Sequence, residues 1–70
     1  MQVDEQVRAA VKKFLESKYG ALEIEYTRVY DRDGEVEVSG SFKRGGESRV
    51  RRFTVLLDSK TLNVKAFGAR

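Results

Sequence analysis

Lys43, Arg44, Arg49, Arg51 and Arg52 set five positive charges against one negative, Glu47, around a single hairpin. Such a group can track a phosphate backbone, and Gly45-Gly46 at its tip allows close backbone approach. The strands before it carry the opposite surplus, since Glu23, Glu25, Asp31, Asp33, Glu35 and Glu37 outnumber Arg28 and Arg32. Adjacent acidic and basic strands neutralise one another by cross-strand pairing. Structural pairing is the preferred reading and nucleic-acid contact the runner-up, because most of the aromatics that would stack on bases fall in core register.

Other chemistry finds few residues to work with. The chain has no cysteine and no histidine, which removes thiolate chemistry, the common zinc and copper sites, and the side chain best suited to proton transfer near pH 7. Asp31 and Asp33 lack further oxygen ligands in sequence reach and read as turn formers rather than a metal pair. Tyr19, Tyr26 and Tyr30 read as core or core-edge residues, Tyr26 and Tyr30 sharing the inward parity of Ile24. No phosphate loop, nucleophile elbow, dinucleotide fingerprint or calcium loop is present. The expectation is a protein that is not an enzyme and holds no cofactor.

The elements that would position these residues follow from periodicity. Val3, Val7, Ala10, Val11, Phe14 and Leu15 recur at helical spacing, which predicts an amphipathic helix over 4–19 that packs through Val11 and Phe14. Asp4–Arg8 and Lys12–Glu16 are i,i+4 pairs on its outer side, and Gly20 supplies the stop. From Ala21 the period becomes two. Leu22, Ile24, Tyr26 and Tyr30 predict one inward strand face, and Val36, Val38 and Phe42 a second. Asp31–Gly34 turns the chain between them; pairing Tyr30 with Val36 sets Ile24 opposite Phe42 and Tyr26 opposite Gly40, where a ring can cover the glycine.

A third strand over 48–57 places Phe53, Val55 and Leu57 inward, while Val50 breaks parity through a bulge at Arg51-Arg52 or by pointing outward. After the turn Asp58–Thr61, Leu62, Val64 and Ala66 form a fourth strand. The predicted fold is therefore α+β, one N-terminal helix packed across a four-stranded antiparallel meander, a single domain over 1–70. Val29, Leu56 and Phe67 remain as apolar groups for the open face and are the candidate protein contacts.

A hydrophobic share of 40% against 36% charged, with net charge +3, suits a domain that folds in water. No apolar run reaches the roughly 18 residues of a membrane span, and Met1–Ala10 carries Asp4 and Glu5 where a signal peptide is apolar. The expected address is cytoplasmic, and the charged, cysteine-free composition leans towards a heat-adapted source.

Helix followed by meander resembles the cystatin fold, with Glu35–Gly40 similar to the Gln-x-Val-x-Gly element of cystatin protease inhibitors. Here that segment reads as strand, and the tryptophan-bearing loop has no counterpart, so protease inhibition is not implied. The segment Phe53–Val64 resembles the closing hairpin of PepSY-like domains, in which a strand runs into Asp-x-x-Thr-Gly-x-Val, with Leu62 in place of the glycine. That resemblance implies a non-enzymatic interaction module. The sequence reading is thus a small protein-interaction domain that docks on a protein or on itself as a homodimer, through its open sheet face or an edge strand, with nucleic-acid binding through Lys43, Arg44, Arg49, Arg51 and Arg52 as the alternative.

Overall fold

The computed structural model describes residues 2–70, with side chains from Glu5 onward. Helix α1 spans Gln2–Tyr19 and is followed by strands β1 (Leu22–Arg32), β2 (Glu35–Arg44), β3 (Val50–Asp58) and β4 (Val64–Ala69). The strands form one antiparallel sheet in the order β1-β2-β3-β4, so the α+β helix-on-meander architecture expected from the sequence is the one observed. The side chains of Val3 and Asp4, and with them the Asp4–Arg8 pair, lie outside the described residues. Lys12 and Glu16 form no ion pair.

Spacing of four along the helix puts Val7, Val11 and Leu15 directly above one another, and all three are fully buried against the sheet. Phe14 lies one step round the helix and is only half-buried, which makes Leu15 and not Phe14 the deepest anchor beside Val11. Across from them sit Val36, Val38 and Phe42 of β2 and Phe53, Val55 and Leu57 of β3. The helix ends at Gly20, whose φ of +86° and N–H bond to the Glu16 carbonyl (2.8 Å) close the last turn.

The β1–β2 register begins as expected, with Ile24 opposite Phe42 and Tyr26 opposite Gly40. It then slips by one residue between Tyr26 and Arg28. Beyond that bulge Val29 pairs with Val38 and Tyr30 with Glu37, so Val29 turns towards the core while Tyr30 is 48% exposed. The expected Tyr30–Val36 pair is accordingly replaced by Asp31–Val36. A second slip, opposite Leu56 and Leu57, leaves Lys65 unpaired and reverses the parity of β4. Ala66 therefore faces outward, and Phe67 and Ala69 pack on the helix side. Val50 takes the outward alternative, 60% exposed, with no irregularity at Arg51-Arg52.

Gly40 occupies a tight place. A β-carbon there would run into the Glu25 backbone carbonyl and sit 3.1 Å from the Phe53 ring. The ring covering this glycine is thus Phe53, against which Tyr26 packs edge-on at 6.5 Å.

Candidate functional site

The two bulges decide what the uncovered side of the sheet displays. Of the three candidate protein contacts only Leu56 lies on that side, because Val29 and Phe67 both pack towards the core. Phe67 stands edge-on to Phe14 at 5.2 Å, and the Lys18 ammonium lies 5.6 Å from its ring centre. In their place the outer face presents Val50, Tyr30 and Ala66 beside Leu56. Tyr30 and Val50 could have been found from sequence only by locating the Thr27 bulge and by choosing the outward course for Val50.

Around these apolar groups the outer face is a mosaic of charge. Arg32 pairs with Glu37 at 3.4 Å, Lys43 with Glu23 at 3.8 Å, and Lys65 with Glu35 at 2.8 Å. The Lys65–Glu35 contact is a direct hydrogen bond and holds the ammonium proton more firmly than usual. The Arg28 and Arg32 guanidinium groups lie 5.3 and 6.0 Å from the Tyr30 ring centre, both within cation–π range. Between the charges the surface is shallow, floored by Ser39, Ser41 and Thr54 with Arg52 at the rim, and by Gly68 towards Arg70.

The basic cluster is divided by the sheet. Register puts Lys43 opposite Val50 and Arg52 opposite Ser41 on the outer face, whereas Arg51 stands opposite the buried Phe42 on the helix side. Arg44 also turns that way, its guanidinium 5.9 Å from the Tyr19 ring centre, and it pairs with Glu47 at 3.7 Å. Arg49 is exposed in the loop before β3. Arg49, Arg51 and Arg52 have no ion-pair partner among the described residues. Cross-strand neutralisation thus reaches Lys43, while the other pair, Arg44–Glu47, closes within the turn itself.

The last turn is organised by Asp58. Its Oδ1 accepts hydrogen bonds from the backbone N–H groups of Lys60 (2.8 Å) and Thr61 (3.0 Å). These bonds, Thr61 first, hold the Asp58 carboxyl below the ordinary aspartate range. Leu62 follows with φ of +62°, a left-handed conformation rare for a branched apolar residue. Asp31 and Asp33 are both exposed at the β1–β2 turn, with Gly34 at φ +74°.

No family model matches the chain, and no curated protein or solved structure is significantly similar to it.

Proposed function

We propose that this chain is a non-enzymatic protein-interaction module that docks, with self-association foremost, through its open sheet face or an edge strand. The observation that carries the reading is the uncovered side of the sheet, where Val50 is 60% and Tyr30 48% exposed while the other large hydrophobics among the described residues are buried at least in part. The division of the basic cluster between two faces supports the same ranking, since a phosphate backbone follows one continuous groove. The PepSY-like resemblance points the same way. Leu62, which stands where that family has glycine, holds the left-handed backbone conformation that glycine favours.

The unpaired Arg49, Arg51 and Arg52 favour a second reading, weak nucleic-acid binding at the Lys43–Arg52 hairpin. Light scattering at low and high salt, with and without a single-stranded oligonucleotide, separates the two. Association that survives high salt and ignores the oligonucleotide supports the protein-interaction reading. A submicromolar oligonucleotide complex that dissolves as salt rises, and that Arg51→Gln with Arg52→Gln abolishes without lowering the melting temperature, rejects it in favour of the second.

A further inference from the structure

Resting on the interaction reading, we infer that β4 is the docking edge and that its occupant is β4 of a second copy, paired antiparallel so that two four-stranded sheets become one. The two free edges of the sheet are unequal. β1 carries Glu23, Glu25, Arg28, Asp31 and Arg32 and is broken by the Thr27 bulge, features that keep other strands from pairing with it. On β4 the bulge and the charge are confined to Lys65 at its start, and Ala66–Ala69 is uncharged and regular.

The backbone of that segment offers a matching set of bonds. The Arg70 N–H donates to the Arg52 carbonyl at 2.9 Å, so this opposed pair is hydrogen-bonded to β3. Alternation along an antiparallel ladder then bonds Gly68 and Ala66 to β3, and turns the N–H and C=O groups of Phe67 and Ala69 away from the sheet. A two-fold axis at Gly68 sets Phe67 of each copy against Ala69 of the other, which satisfies all of these groups mutually.

Parity supports the same arrangement. Phe67 and Ala69 face the helix side in both copies, so pairing joins two cores at the edge where Phe14, Val64 and Phe67 are only half-buried. Gly68 faces outward, and a side chain there meets nothing within 4 Å in the single chain, whereas in the pair it would face its own copy. An edge of four residues is a small contact of the weak, transient class, so association is expected in the range of about 10 µM to 1 mM.

The test is solution mass of the full chain by sedimentation equilibrium from about 20 µM to 1 mM, for wild type, Gly68→Lys, Gly68→Asp and Ala69→Pro. The expected result is a wild-type mass that rises towards the dimer, at least about tenfold weaker association for each single variant, and recovery when Gly68→Lys and Gly68→Asp are mixed. Ala69→Pro removes an N–H that points away from β3, so it is expected to block pairing while leaving the ladder intact. Should a variant fail to fold, concentration-dependent protection of the wild-type Phe67 and Ala69 amides from exchange decides the question. A wild type that stays monomeric to 1 mM, or a dimer indifferent to all three substitutions, overturns the inference. The second result leaves protein interaction standing and moves it to the open face; loss of the interaction reading itself would show instead as the tight, salt-sensitive oligonucleotide complex.

Discussion

The Tyr26 hydroxyl donates a 2.9 Å hydrogen bond to the backbone carbonyl of Arg8, tying the edge strand β1 to the middle of the helix. The Arg8 guanidinium lies 5.5 Å from the ring centre of the same tyrosine. Tyr26→Phe keeps the ring and loses the bond, so a urea midpoint should report a loss of about 0.5–1.5 kcal/mol. Burial raises the Tyr26 phenol above its ordinary pKa, against a lowering by Arg8. The folded state therefore holds this proton longer than the unfolded chain, and the stability it lends is full below about pH 10 and lost as pH rises further. Wild type should lose stability more steeply than Tyr26→Phe above that pH; parallel curves would refute the assignment.

Leu15→Ala should be among the most harmful helix substitutions, costing about 2–5 kcal/mol in a domain whose whole stability is about 4–10 kcal/mol. Leu15 is fully buried, whereas Phe14 is half-buried at the β4 edge, so Phe14→Ala should cost less, about 1.5–3 kcal/mol. Thermal melts of the two variants side by side check the order.

Gly40→Ala should destabilise by about 1–3 kcal/mol, because the added methyl meets the Glu25 carbonyl and the Phe53 ring. Backbone cannot yield as a flexible side chain does. A melting temperature equal to wild type would mean that the strands are not this close.

Asp58 gives the fold an acid limit. Its folded pKa is lowered by the Thr61 and Lys60 N–H groups, so its contribution is present above the unfolded value, about 3.9, and is lost as pH falls through the folded one. Asp58→Asn should flatten the loss of stability between about pH 5 and pH 2, and unfolding followed across that range measures it.

Much of this architecture is legible in the residues themselves. Val7, Val11 and Leu15 announce the helix face, and Ile24, Tyr26, Gly40 and Phe42 fix the first half of the hairpin register. What stays hidden is each one-residue slip. Val29-Tyr30 and Ala66-Phe67 are adjacent apolar pairs in which either member suits the core, and a bulge at Thr27 or Lys65 leaves no compositional mark. Parity carried past an unseen bulge inverts every later residue, which is why Val29 and Phe67 read as open-face groups when they pack inward. The division of Arg51 from Arg52 was in principle readable, since neighbours on a strand point to opposite faces.

Amide chemical shifts of the full chain, compared at about 50 µM and 1 mM in physiological salt and then with an added oligonucleotide, test the interaction reading most directly. Self-association through β4 should move the shifts of Ala66, Phe67, Gly68 and Ala69 with protein concentration and leave Arg49, Arg51 and Arg52 nearly unresponsive to the oligonucleotide. Spectra identical at both concentrations, together with saturable oligonucleotide shifts at those three arginines, would contradict it.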